Sequence, residues 1–216
     1  MIRRISRLPT SLAATRLQTR KIQCRIPDRE YLEITGKDTT KFLQGICTND
    51  ITKLEGTNTS IAAAFLTTKG RILADAILYN VVDKETTNRT VVIETHKCMT
   101  QDLQKYLTMY RLRSSVKIAS GGYSTLLVPP TIKTMVNSGS LKEDLVACMV
   151  DDPRSASLDA TRILMKGVNT NTNELDTLKH QNLYLVWRLM NGLAEGPGRL
   201  LSRTSLHYIP LSLLYP

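Results

Sequence analysis

The chain has 216 residues, 42% of them hydrophobic, with a formal net charge of +10. At about 100–200 residues per domain this allows one domain, or a tight pair of subdomains, with a sizeable core. No run approaches the ~20 consecutive apolar residues of a membrane-spanning helix.

The charge is concentrated at one end. Arg3, Arg4, Arg7, Arg16, Arg20, Lys21 and Arg25 lie within residues 1–27, and the first acid is Asp28. Taking those seven from the 29 basic residues leaves 22 against 19 acids for the rest, so a basic surface for nucleic acid is poorly supported there. The same segment holds Ser6, Thr10, Ser11, Thr15 and Thr19, and Ile5, Leu8 and Leu12 fall at helical spacing, interrupted by Pro9. Arginine-rich, hydroxyl-rich and free of acids is the composition of a mitochondrial transit peptide. The expectation is a transit peptide over 1–27, cleaved between Arg16 and Asp28, and a domain over 28–216. The competing reading is a basic tail that binds nucleic acid.

In chain order, Tyr31, Glu33 and Thr35 alternate with Leu32 and Ile34, a strand pattern. Asp38 offers a cap for a short helix through Phe42 and Leu43. Residues Gly45–Thr59 read as loop. Ile61–Leu66 and Ile72–Val82 are strands joined at Thr67-Thr68-Lys69-Gly70, where Gly70 suits a positive φ. A turn over Asp83–Asn88 leads to the strand Thr90–Glu94, completing an antiparallel meander. A helix follows from about Thr100 to Tyr110, with Leu103, Tyr106, Leu107 and Tyr110 on one face. Ser115–Ala119 and Tyr123–Val128 are strands, and Pro129-Pro130 marks a connection. Glu143–Val150 reads equally as helix or strand, and Arg162–Lys166 as a strand. Leu175, Leu178, Asn182, Leu185, Val186 and Leu189 line one face of a last helix, ended by Gly192. The order predicts an α+β fold with split β-α-β units.

Cys24, Cys47, Cys98 and Cys148 form no C-x-x-C, and His96, His180 and His207 no H-E-x-x-H. No metal ligand is assigned, and the cysteines read as small buried hydrophobes. There is no Walker A loop, no G-x-G-x-x-G after a strand and no G-x-S-x-G elbow.

What remains is a set of ordered strings. Phe42-Leu43-Gln44-Gly45 runs into Thr48-Asn49-Asp50, then Phe65-Leu66-Thr67-Thr68-Lys69-Gly70-Arg71-Ile72-Leu73-Ala74-Asp75. Leu103-Gln104-Lys105-Tyr106-Leu107, Tyr110-Arg111-Leu112-Arg113, Asp152-Pro153-Arg154 and Gly192-Leu193-Ala194-Glu195-Gly196 follow. From Arg29 to Gly196 these resemble the YgfZ-type folate-binding family, related to the glycine-cleavage T-protein, and most of all its mitochondrial iron–sulfur cluster assembly branch.

The resemblance implies a T-protein-like folate-binding fold with a sheet-lined cavity and tetrahydrofolate as cofactor. It implies a role in the mitochondrial matrix, in maturing [4Fe–4S] proteins such as aconitase and radical-SAM enzymes. Its implied partners are A-type iron–sulfur scaffold proteins and [4Fe–4S] apo-proteins. Lys69 and Arg71 would meet the glutamate tail, since guanidinium binds carboxylate in bidentate fashion. Asp75 would bond the pterin, Tyr184 would stack on it, and Asn49 would line the site. Each has a plainer reading: Lys69-Gly70-Arg71 as a solvated turn, Thr48-Asn49-Asp50 as turn and cap chemistry, Arg111 and Arg113 as helix-end cations, Tyr184 and Trp187 as core. Asp75 is the hardest to dismiss, because an acid inside an apolar strand is costly unless paired or functional.

The sequence also departs from the family. The T-protein has paired acids where this chain has Ala74-Asp75. The family's K-G-C-Y-x-G-Q-E string, which carries its central cysteine, does not occur here, so no catalytic residue is assigned and the enzyme class stays at transferase-like. The expectation is a domain incomplete at its C-terminus, the family's terminal barrel missing and apolar surface left exposed. Two other functions compete: a tetrahydrofolate-dependent aminomethyl transferase, and a non-enzymatic RNA- or partner-binding module, which predicts steep salt dependence.

Overall fold

The computed structural model describes residues 24–56, 58–82, 89–128, 143–154, 160–167 and 174–196, of which 143 and 174–181 by backbone alone. The elements are β1 (Cys24–Arg25), β2 (Arg29–Thr35), α1 (Thr39–Gln44), a 3₁₀ turn (Ile51–Leu54), β3 (Thr59–Leu66), β4 (Ile72–Val82), β5 (Arg89–His96), α2 (Lys97–Arg111), β6 (Lys117–Gly121) and β7 (Tyr123–Val128). A second 3₁₀ turn (Glu143–Leu145), β8 (Val146–Asp151), β9 (Thr161–Lys166) and α3 (Glu174–Met190) complete them.

Two antiparallel sheets stack. One has the order β3-β4-β5-β2-β6, the other β1-β7-β9-β8. Strand alternation decides what each face meets. Along β4, Ala74, Ala76 and Leu78 join the core under α1, α2 and the first 3₁₀ turn, with Phe42, Leu43, Ile51, Leu103 and Leu107. The intervening Ile77, Tyr79 and Val81 pack against Cys148, Val150 and Leu164 of the second sheet. The result is three layers: helices, five strands, four strands. β3, β4 and β5 form the expected meander. β2 lies between β5 and β6, antiparallel to both, so β5-α2-β6 is a split β-α-β unit.

Several local expectations are corrected. Asp38 makes no side-chain cap to α1. Its Oδ2 instead accepts from Ser115 N at 2.6 Å, tying the start of α1 to the chain entering β6. The backbones approach closely there: Gly36 has φ +125°, and a Cβ on it would fall 2.2 Å from Ser115 O. Gly70 takes φ +69°, as the hairpin requires. α2 begins earlier than its apolar spacing suggests, because His96 is its cap: Nδ1 accepts from Cys98 N at 3.2 Å. The ring therefore carries its proton on Nε2. Its pKa is lowered, by burial first and then by Arg29, in line with an unprotonated Nδ1. Glu143–Val150 is both alternatives in turn, a 3₁₀ turn and then a strand.

Two observations bear on larger units. Cys24 and Ile26 are buried, β1 pairs with β7, and Ile26 N bonds Thr125 O at 2.9 Å. The described fold thus includes Cys24–Arg25 and Ile26, ahead of Asp28. Among the described side chains of α3, Tyr184 and Trp187 are buried, while Leu185, Val186 and Leu189 are exposed. The described part of the apolar stripe thus faces out, and the plainer reading of Tyr184 and Trp187 as core holds. The helix docks on the β1 edge through its two aromatics, whose rings stack at 6.1 Å. The expected turn at Asp83–Asn88, the Pro129-Pro130 connection and the side chains of Leu175 and Leu178 lie outside the described residues.

Candidate functional site

The side chains that β2, β4, β5, β7 and β9 direct between the sheets are not all apolar. Glu94 on β5 accepts from Tyr79 Oη and from Thr125 Oγ1, each at 2.7 Å, and pairs with Arg162 of β9. Arg162 Nε donates to Tyr79 Oη at 2.7 Å and its Nη1 to Asp152 Oδ2 at 3.0 Å. Arg154 grips Asp152 with two bonds, Nε to Oδ1 at 2.8 Å and Nη2 to Oδ2 at 2.6 Å. Arg154 Nη1 reaches Glu195 Oε2 at 2.6 Å, and its guanidinium lies 5.7 Å from the Trp187 ring centre. Glu195 also receives Tyr184 Oη and Arg29, and Arg29 Nε stands 3.5 Å from Glu94 Oε1.

Three guanidiniums thus meet three carboxylates, and none of the six side chains is more than 11% exposed. Burial alone would raise the Glu94 carboxyl; Arg162 and Arg29, with the Tyr79 and Thr125 hydrogen bonds, hold it below its ordinary value. Burial likewise opposes ionisation of Asp152, and Arg154 and Arg162 reverse it to well below the usual carboxylate range. The Tyr79 phenol is pushed far up by burial, so it stays a donor. The network joins β5, β9 and the segment after α3, and fixes Glu195 and Gly196 in place.

Gly196 is where this network meets Asp75. Its N–H donates to Asp75 Oδ1 at 3.2 Å. Asp75 is half-buried on the inter-sheet face of β4, and its Oδ2 has no partner among the described residues. Lys69 and Arg71 sit exposed at the β3–β4 hairpin and form no ion pair among the described residues. Between Phe65 and Leu66 the β3–β4 register slips, so Leu73 is an extra residue on β4. Arg71, beside Ile72, therefore does not share the alternation that turns Asp75 inward.

The other two residues singled out from sequence are engaged in the fold. Tyr184 is buried, its hydroxyl spent on Glu195 and Arg154. Asn49 is buried: Nδ2 donates to Ala62 O at 2.8 Å and Oδ1 accepts from Asp50 N at 2.7 Å. Its neighbours do similar work. Gln44 Oε1 accepts from Ile51 N, Thr48 Oγ1 from Ala64 N, and Asp50 caps the 3₁₀ turn through Thr52 N. The Phe-Leu-Gln-Gly and Thr-Asn-Asp strings pin a loop onto β3.

Sequence reasoning missed Glu94 and Arg162. The available signal was a charge ending each of two apolar strands, Val91-Val92-Ile93-Glu94 and Arg162-Ile163-Leu164-Met165. Burial pushes the Cys24 and Cys148 thiols up to about 12 and raises Cys47 as well, so none of these three is a ready thiolate. No group of three or more potential metal ligands occurs among the described residues. No described helix is long and apolar enough to cross a membrane.

No family model matches the chain. Over 206 residues it is 25% identical to the mitochondrial iron–sulfur cluster assembly factor IBA57 homolog of Mycosarcoma maydis, covering 87% of this chain and 47% of that one. Against the mitochondrial iron–sulfur cluster assembly factor IBA57 of Mus musculus it is 27% identical over 183 residues, covering 80% and 51%. The chain thus spans about half the length of these curated relatives. Among solved structures it is similar to the glycine cleavage system aminomethyltransferase T of Bartonella henselae, with TM-score 0.52 and 14% identity, covering 85% of this chain and 50% of that one. The likeness drawn from the ordered strings, to mitochondrial assembly factors on an aminomethyltransferase fold, is borne out by sequence and by fold.

Proposed function

We propose that this protein works in the mitochondrial matrix as an iron–sulfur cluster assembly factor, matures [4Fe–4S] proteins such as aconitase and radical-SAM enzymes, and binds tetrahydrofolate. The observation that carries the reading is similarity over 80% or more of the chain to assembly factors so named in a fungus and a mouse. The acid-free, arginine-rich segment ahead of Cys24 supports import. The proposed partners are A-type iron–sulfur scaffold proteins and [4Fe–4S] apo-proteins.

Within the inter-sheet space, Asp75 is the residue best placed for the folate. It offers an unspent carboxylate oxygen at a polar, half-buried position, suited to a pterin N–H. Lys69 and Arg71, exposed and without ion pairs among the described residues, are cations for the glutamate tail. Tyr184 and Asn49 serve this site indirectly, Tyr184 by holding Glu195 and so the Gly196 that meets Asp75, and Asn49 by fixing the loop beside β3.

A second reading, aminomethyl transfer from folate, is favoured by the aminomethyltransferase fold. Against it, Ala74 is fully buried on the helix side of β4, leaving one acid, Asp75, on the inter-sheet face.

The test is genetic. Cells lacking the gene should lose aconitase activity while [2Fe–2S] proteins stay active, and the intact gene should restore it. Normal aconitase in such cells refutes the proposal.

A further inference from the structure

Over most of its length the space between the sheets is filled by side chains, Tyr31, Ile77, Tyr79 and Val92 on one wall and Cys148, Val150 and Leu164 on the other. At the end of β4 away from Asp75 it opens. The cleft there has a volume of about 380 Å³ and is lined by Glu33, Val81, Thr90, Gly122, Tyr123 and Lys166.

We propose that this cleft is a binding site for a small zwitterion, a free α-amino acid, its ammonium group against Glu33 and its carboxylate against Lys166. The inference is independent of the folate reading and uses none of its residues.

The two charges come from opposite walls, Glu33 from β2 and Lys166 from β9. Glu33 is oriented by one bond, Tyr123 Oη to Oε1 at 2.8 Å, and its Oε2 has no partner among the described residues. Lys166 forms no ion pair among the described residues, with Glu33 or any other, and the Thr90 hydroxyl has no described hydrogen bond. Side chains elsewhere reach across this space, as Arg162 does to Glu94 and Tyr123 to Glu33, yet Glu33 and Lys166 form no ion pair with each other. A molecule with one charge of each sign spans that gap. A simple anion would meet the Glu33 charge, and a simple cation the Lys166 charge. Clefts of about 300–1,000 Å³ are of a size to hold small ligands. The Tyr123 ring, tilted against Tyr31 at 5.8 Å, supplies an apolar wall for a short side chain.

Gly122 keeps the cleft clear. A Cβ there would meet no atom within 4 Å, and its φ is one that any residue adopts. Neither backbone nor packing demands glycine at this position, so a larger residue fills the cleft and disturbs little else.

The experiment is titration of the isotopically labelled full-length protein with each of the twenty free amino acids, followed by amide NMR, with acetate and methylammonium as single-charge probes. At least one amino acid should shift the Thr90, Gly122 and Lys166 amides saturably, and both single-charge probes should bind at least tenfold more weakly. Glu33→Gln, which keeps the Tyr123 contact, and Lys166→Met should each weaken binding tenfold or more. Gly122→Leu should abolish it with the melting temperature unchanged; if Gly122→Leu does not fold, Gly122→Ala should weaken it. The proposal is overturned if no amino acid shifts those amides, if acetate or methylammonium binds as tightly, or if the folded Gly122 variant binds unchanged.

Discussion

Taking an ionised side chain out of water costs several kcal/mol, and this chain does so six times within one inter-sheet space. The cost is offset because the six are neutral as a set and their hydrogen bonds are shared, with Tyr79 and Thr125 filling remaining sites on Glu94. Removing one partner leaves a buried charge uncompensated, a loss of about 3–5 kcal/mol. Arg162→Met should destabilise by that order, since it strands Glu94 and Asp152 together. The pH dependence follows from the carboxyls. Both have folded-state pKa values below their ordinary 4.5 and 3.8. Unfolding then takes up protons at acid pH, so their contribution is fully present above those values and is lost as pH falls through the folded ones. Thermal melts should show stability level near neutrality and declining below about pH 4.5. Glu94→Gln should be less stable at pH 7 and show a shallower acid decline. An acid slope identical to the parent's would contradict this account. Sequence alone singled out Asp75 beside this network, because an acid inside an apolar run declares itself, and it held Asp152, Arg154 and Glu195 within the ordered strings. Glu94 and Arg162 did not stand out, because each ends such a run and reads as a strand boundary. Their partnership spans 68 positions and two sheets, and no local pattern carries it.

Elements were legible where one period dominates. β4 and β7 have the bounds their alternation gives, and the Lys69-Gly70 hairpin forms as its turn residues require. Starts and ends were legible where the chemistry is common, and missed where it is not: a histidine caps α2, and Asp38 leaves its helix for Ser115. α3 shows the limit of periodicity. Its apolar stripe is real, yet two aromatics on another side, Tyr184 and Trp187, have more surface to bury and a cation partner in Arg154. Periodicity gives a helix two candidate faces here and cannot rank them. Leu185, Val186, Leu189 and Met190 therefore stand in water, at 43%, 54%, 65% and 45% exposure. Val186→Glu with Leu189→Glu should leave the melting temperature within about 2 °C, as surface changes do, and reduce self-association measured by light scattering. A drop of 5 °C or more would show that these side chains are packed in solution.

At the scale of the molecule, layers and ions divide the labour. The helical layer and the five-stranded sheet supply the continuous apolar core, and the second sheet closes over the ionic network. Asp75 sits where the strand face, the network and the segment after α3 converge, at Gly196. The fold class was readable because a meander and a split β-α-β unit leave alternating patterns in order. The stacking of one sheet on the other was not, since its apolar contacts and its ion pairs alike join residues far apart in the chain. The central claim is that the Asp75 end of the inter-sheet space holds a folate. Calorimetric titration of the full-length protein with tetrahydrofolate, beside Asp75→Asn, tests it most directly. The account predicts saturable binding that weakens at least tenfold, about 1.4 kcal/mol, in the variant at an unchanged melting temperature. Equal binding by both proteins, or none by the parent, would contradict it.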